Sequence, residues 1–173
     1  MSERDRELAF DWITENCWWT VSFTSAEAVD QFNIYRATQR IMYQSWMQIL
    51  EIVPVSINQI KYLVIDAMPL SLGSAYSHDN LEVHHFPHGE SRSISIAAAS
   101  IVAKVTRDRF MKRLSKDFPQ FSFGQHKGYA TKVHVDAIGE HGSSIVHRKT
   151  FLKNILKEKA DHGRRQIKQQ SLF

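Results

Sequence analysis

Two acids in this chain stand where an oxygen-liganded ion could be held. Asp66 closes the apolar run "YLVID", and Glu90 lies in "PHGES", just ahead of a stretch of small residues. A carboxylate at the end of a buried strand emerges where that strand opens to solvent. If neighbouring strands each end in one, both can aim oxygens at a single cavity, and hard oxygen ligands suit Mg²⁺ or Mn²⁺. Each acid also has a plainer role: Asp66 as a turn or helix cap, Glu90 as a solvated loop acid.

The stretch after Glu90 reads "SISIAAASIVAKVTRDR". Ala97, Ala98, Ala99, Ser100 and Ala103 would let the first turns of a helix approach a sheet closely. The free N–H groups of that helix would then lie near the acids and suit a phosphate. Lys104, Arg107 and Arg109 follow, either as phosphate contacts or as a solvated basic face, and Asp108 can pair with a neighbouring Arg or Lys. Further on, "HKGY" offers Lys127 to a phosphate and the Tyr129 ring to a sugar or base. The alternative is an ordinary turn with its ring packed on the domain. His78, His84, His85 and His88 do not read as a zinc site. A strand points the adjacent His84 and His85 to opposite faces, and no second cysteine supports a closed site.

The elements needed to position these residues are legible. "MSERDRELAFDWI" reads as a helix capped by Ser2, with Leu8, Ala9, Trp12 and Ile13 as its apolar stripe. "CWWTVSFT" alternates and predicts a strand over Cys17–Thr24. Thr24 and Glu27 then form a capping box for a helix running to about Leu50. "IKYLVIDAM" and "LEVHHF" read as strands, and a long helix is expected from about Ser95 to Lys116, stopped by Pro119. "FSFGQHKGYATK" reads as a loop. "KVHVDAIGEHG" is a short helix closed by Gly142, and "HRKTFLKNILKEKA" a final amphipathic helix. Strands alternating with helices predict an α/β domain, in which functional groups gather beyond the carboxyl ends of strands.

Composition sets the outer bounds. The 173 residues are 43% hydrophobic and carry a formal charge of +4, which suits one domain with a sizeable core and mildly favours an anionic partner. One cysteine, Cys17, precludes an internal disulfide and fits a reducing compartment. No apolar run approaches a membrane span and no signal-peptide pattern opens the chain, so a cytoplasmic protein is expected.

Four segments carry a resemblance: "YLVIDAM", "GESRSISIAAASIVAKVTRDR", "DFPQFSFGQHKGYATKVHVDAI" and "HGSSIVHRKTF". Together they closely resemble bacterial ribonuclease HII, from about Ser2 to Phe151. The resemblance implies a ribonuclease H-like α/β fold, a mixed sheet with flanking helices, in a domain over residues 1–160. It implies cleavage of the RNA strand of RNA–DNA hybrids, and cleavage 5′ of single ribonucleotides embedded in DNA. Two divalent ions, Mg²⁺ or Mn²⁺, would be held by four acids, of which Asp66 matches one. Glu90 matches another, in a motif that reads "KGD" in the family and "HGE" here. Tyr129 matches the aromatic that senses the RNA–DNA junction; Lys127 and Lys104, read above as phosphate contacts, are expected as further substrate contacts.

One departure is large. The family opens on a strand bearing "DEAGRG", which supplies the other two acids and reads the ribose 2′-OH, and nothing like it occurs in this sequence. The expectation is that the family's first strands are absent because the chain is a fragment or starts late. The alternatives are a non-catalytic hybrid-binding relative, or a second polypeptide that completes the site. With half the acidic cage, the chain alone is expected to be weakly active or inactive. The polar tail, residues 161–173, is expected to be mobile. It ends in "QQSLF", where Gln169, Leu172 and Phe173 resemble the short peptide that binds the bacterial sliding clamp.

Overall fold

The computed structural model describes residues 1–153, and these form two compact units. One comprises Met1–Phe23 and Tyr35–Arg109. The other comprises Thr24–Ile34 and the described residues from Phe110 on. Helices α1 (Glu3–Asn16) and α2 (Ala26–Ile52) are followed by strands β1 (Tyr62–Asp66) and β2 (Glu82–Phe86). The long helix α3 (Ile94–Asp117), a single turn α4 (Phe123–His126) and α5 (Lys132–His141) complete the order. The α/β class expected from the sequence is observed. Among the described residues the sheet has two strands, β1 and β2, paired in parallel with Asp66 opposite Phe86. None of the helices described is long and apolar enough to cross a membrane.

In the first unit, Ser2 caps α1 as expected. Its hydroxyl accepts the Asp5 N–H at 3.1 Å, and Asp5 returns the bond to the Ser2 backbone. The apolar stripe keeps Ile13 from the expected one but turns on Phe10. Phe10 and Ile13 are buried against Val102 and Val105 of α3, while Leu8 and Trp12 are exposed. Ala98 and Ile101 pack on this cluster, so the small-residue stretch lets α3 approach a helix at this face, whereas a sheet was expected. Burying four such side chains contributes about 1.5–3 kcal/mol each.

No strand forms over Cys17–Thr24. Alternation assigns the faces of an extended segment but does not supply the neighbour that a ladder requires. Side chains hold the segment instead. Thr20 Oγ1 donates to the Ser45 carbonyl at 3.2 Å, and Ser22 bonds Gln48 Oε1 at 3.0 Å and Ser45 Oγ at 2.9 Å. Cys17 and Trp18 are exposed, and Trp46 is buried with its indole N–H on the Tyr76 carbonyl at 3.0 Å.

In the second unit, the cap at the start of α2 is Ser25, whose hydroxyl accepts the Ala28 N–H at 3.1 Å, and not Thr24. The helix is interrupted at Asn33, where φ is 63°, a conformation that Asn tolerates better than most residues. The segment expected to be a loop contains α4, preceded by a 3₁₀ turn over Pro119–Phe121. Phe121, Phe123, Met111, Ile138 and Leu152 form the core here, and burial of the two rings sets the turn. Helix α5 ends at Gly142 as expected, where φ is 75°. A further helical segment starts at Lys149. The Asp30 carboxylate accepts its first N–H groups, from Lys149 at 2.6 Å and Thr150 at 3.3 Å, and also the Thr150 hydroxyl.

Candidate active site and its supporting turns

Asp66 lies at the carboxyl end of β1. The next residue, Ala67, has a φ of 57°, which turns the chain sharply away from the strand. After β2 the chain passes through left-handed His88 into a 3₁₀ turn, Gly89–Ser91. The Gly89 N–H donates to Asp66 Oδ1 at 2.8 Å, so the turn carrying Glu90 is fastened to the acid of β1. Gly89 is buried because space there is short. An added Cβ would lie 2.7 Å from Ile96 Cδ1 and 3.1 Å from Asp66 Oδ1. The structure thus gathers Asp66 and Glu90 at the carboxyl ends of neighbouring parallel strands, where ligands collect in α/β sheets. Both residues are exposed.

The donor chemistry fits a hard divalent cation, since carboxylate oxygens are its preferred ligands. Asp66 Oδ2 and the Glu90 carboxylate take no hydrogen bond among the described residues. Two carboxylates are also the limit of the set: no group of three His, Cys, Asp or Glu that could hold a metal occurs among the described residues.

The basic residues are more committed than their sequence suggests. Lys104 donates to Asp108 Oδ1 at 2.8 Å along one face of α3, and Asp108 is buried. The ammonium that could have met a phosphate therefore neutralises an acid of its own helix, the pairing anticipated for Asp108. Arg109 bridges Glu7 and, at 3.7 Å, Asp11 of α1. At the amino end of α3 the Ser93 hydroxyl accepts the Ile96 N–H at 3.5 Å.

Lys127 and Tyr129 belong to the second unit. Lys127 and Gly128 have φ of 53° and 82°, a tight reversal after α4. The Lys127 ammonium folds back onto the Gly124 carbonyl. Tyr129 is 64% exposed. Its backbone is held on both sides: its N–H donates to the His126 carbonyl at 2.9 Å, and its carbonyl accepts the Thr131 N–H at 2.8 Å. Gln169, Leu172 and Phe173 lie outside the described residues.

Sequence reasoning missed a set of buried histidines in this unit, His126, His134 and His147. His134 Nδ1 is 2.9 Å from the Tyr129 carbonyl, and its Nε2 is 3.1 Å from His147 Nε2. Burial lowers the pKa of both His134 and His147 below the ordinary imidazole value. The available signal was the spacing of His134 and Ile138 on one face of α5.

The family profile described as ribonuclease HII matches residues 19–161. The chain is 40% identical to ribonuclease HII of Bacillus cytotoxicus over 162 residues, covering 92% of this chain and 57% of that relative. It is 38% identical to ribonuclease HII of Clostridioides difficile over 163 residues, covering 90% of this chain and 56% of the relative. With ribonuclease HII of Fusobacterium nucleatum it shares 38% over 157 residues, 90% of this chain and 69% of the relative. The chain thus spans little more than half the length of the first two. A match of this extent, from the strand that ends in Asp66 through the turn that presents Tyr129, places the chain in the ribonuclease HII family.

Proposed function

We propose that this chain acts on RNA–DNA hybrids and on DNA with embedded ribonucleotides, with Asp66 and Glu90 holding a divalent ion, Mn²⁺ or Mg²⁺. The observation that carries this reading is the fastening of the Glu90 turn to Asp66 through the Gly89 N–H. Family membership supports the substrate class. Bound divalent ions supply an activated water and neutralise the leaving 3′ oxygen in hydrolysis of this kind. The chain's own part is to hold two carboxylates at the strand ends and to present Tyr129 to the junction between ribonucleotide and DNA. Lys127 and Lys104 would meet phosphates once released from Gly124 and Asp108. The setting is cytoplasmic, where such substrates arise.

Two carboxylates bind an ion weakly, so cleavage by this chain alone is expected to be slight. A second reading, a hybrid-binding module without catalysis, is favoured by the lack of a third metal-binding side chain among the described residues. The test is a duplex carrying one ribonucleotide, incubated with purified chain and Mn²⁺. Binding without efficient cleavage is expected. Efficient cleavage 5′ of the ribonucleotide would overturn the half-cage account, and binding indifferent to Mn²⁺ and to Asp66→Asn would favour the second reading. Binding no tighter than to all-DNA duplex would remove the substrate assignment.

The residues "QQSLF" are further proposed to tether the protein to the bacterial sliding clamp, Leu172 and Phe173 entering an apolar pocket while Gln169 sets register. A labelled peptide spanning Arg165 to Phe173 is expected to bind the clamp in the micromolar range, about −8 kcal/mol. Absence of binding near millimolar clamp would end this reading.

A further inference from the structure

Two of the buried histidines of the second unit, His134 and His147, are joined by a hydrogen bond, and the third, His126, stacks on His134; the bond directions can be deduced. The Ser144 N–H lies 3.0 Å from His147 Nδ1. A backbone N–H can only donate, so this Nδ1 accepts and a neutral His147 carries its proton on Nε2. That nitrogen faces His134 Nε2 at 3.1 Å and donates to it. The His134 proton must then sit on Nδ1, where it meets the Tyr129 carbonyl at 2.9 Å, a group that can only accept. His126 follows the same logic: Nδ1 accepts the Gly128 N–H at 3.1 Å, and Nε2 donates to the Phe121 carbonyl at 2.7 Å. With His134 and His147 neutral every ring nitrogen has a partner of the right polarity, and His147 Nδ1 has a second, the Ser144 hydroxyl at 2.8 Å, which can donate to it.

A further proton opposes a donor at each free site. On His147 Nδ1 it would oppose the Ser144 N–H, although the Ser144 hydroxyl at 2.8 Å could accept it, and on His134 Nε2 it would oppose the proton of His147. On His126 Nδ1 it would oppose the Gly128 N–H. His126 and His134 also stack, with ring centroids 4.3 Å apart, so a charge on one repels a charge on the other. The packing around them is aromatic. Phe121 lies 4.6 Å from His147, and Phe123 lies 5.4 Å from His134 and 6.0 Å from His126. Other charged and titratable groups adjoin the rings: Lys127, whose ammonium bonds the Gly124 carbonyl, Arg148, whose guanidinium lies 4.8 Å from the Phe151 ring, and on α5 His141, with its ring centroid 6.4 Å from that of Phe121 and its Nε2 3.9 Å from Glu140. No carboxylate bonds any of the three rings among the described residues.

We propose that His147 and His134 are positioning residues for Tyr129: an uncharged, one-directional chain from Ser144 that ends on the Tyr129 carbonyl, so that protonation of the chain breaks the link between the two rings and loosens the turn they support. Fixing this carbonyl fixes the peptide plane, and with it the direction in which the exposed ring leaves the backbone. The Thr131 N–H also reaches this carbonyl, at 2.8 Å, so His134 is its second donor, after the left-handed Lys127 and Gly128. The lowered pKa of both rings, caused first by burial, agrees with neutrality at pH 7. The consequence for substrate rests on the reading of Tyr129 as a substrate contact.

The test begins with the full chain and needs no variant. Long-range ¹H–¹⁵N spectra at pH 7 are expected to show His134 protonated on Nδ1, and His147 and His126 on Nε2. His134 protonated on Nε2, or His134 or His147 charged at pH 7, overturns the proposal. On acidification the Gly128 and Tyr129 amide signals are expected to broaden together with the protonation of these rings; sharp, unshifted signals through that step also overturn it. Binding to a duplex with one ribonucleotide then links the chain to function. His134→Ala is expected to weaken it about tenfold, as Tyr129→Ala does, with no further loss in the double variant. His134→Asn keeps an N–H for the carbonyl and cannot be charged, so it is expected to bind at pH 7 and to lose the acid-induced decline. Additive losses, or an unaltered pH profile in His134→Asn, overturn the proposal. Unchanged binding by Tyr129→Ala, with the stated tautomers found, overturns instead the role of Tyr129 in substrate contact.

Discussion

The side chain of Asp66 and the backbone of Gly89 are joined by one hydrogen bond, 2.8 Å long, that ties the end of β1 to the turn following β2. It fixes where Glu90 begins relative to Asp66. The candidate ion site therefore depends on a residue with no side chain as much as on the two acids.

Gly89→Ala is expected to destabilise the fold by about 1–3 kcal/mol, the usual cost of overpacking. The backbone at Gly89 is not left-handed, so the obstacle is space: the new methyl meets Ile96 and presses on Asp66. Ile96→Val removes the nearer methyl, and the double variant should recover part of the loss. Urea midpoints compare the three, and a Gly89→Ala variant as stable as wild type would refute the crowding.

Asp66→Asn keeps an oxygen for the Gly89 N–H but loses the charge. Stability should change little, while Mn²⁺ affinity should fall about tenfold or more. Calorimetry or manganese resonance measures the binding. Equal Mn²⁺ affinity in the variant would make Asp66 a cap only.

Lys104→Met keeps the aliphatic stem on α3 and removes the ammonium from Asp108. Because Asp108 is buried, an unpaired carboxylate there is expected to cost about 1–3 kcal/mol. Adding Asp108→Asn should restore much of it. A double-mutant cycle in urea showing simple additivity would mean that the two groups do not couple.

The structure sets two acid-sensitive ranges. His134 and His147 are lowered by burial, so the folded chain takes up protons less readily than the unfolded one. The stability they contribute is complete above the ordinary imidazole value of about 6.5 and declines as pH falls from there through the lowered folded values. Asp30 is lowered first by the Thr150 hydroxyl, so its contribution is present above the ordinary carboxylate value and is lost as pH falls through the lower folded one. Thermal midpoints between pH 7 and pH 3 should fall in two stages. Asp30→Asn should flatten the lower stage and His134→Asn the upper; a variant that leaves its stage unaltered counts against the assignment.

Local chemistry made part of this site legible. The run ending in Asp66 is short, apolar and β-branched, and Ser2 precedes an acid at capping distance, so β1 and the start of α1 were readable. Cys17–Thr24 alternates as a strand does, but pairing depends on a neighbour that the segment cannot specify. The buried face of α1 was read in part, with Ile13 placed correctly; Phe10 was missed because it is selected by Val102 and Val105, far away in sequence. Of the histidine chain only the spacing of His134 with Ile138 on α5 was legible. Its links run from residue 126 to 134 to 147 and rest on ring contacts, which no period along the chain encodes.

All four tryptophans, at positions 12, 18, 19 and 46, lie in the first unit, and none lies in the second. Trp46 is buried there while Trp12 and Trp18 face solvent. Intrinsic fluorescence during denaturation therefore reports only the half of the chain that carries Asp66 and Glu90, and the imidazole resonances of His134 and His147 report the other. Coincident curves from the two signals would mean that the halves melt as one cooperative body, and separated curves that they melt independently.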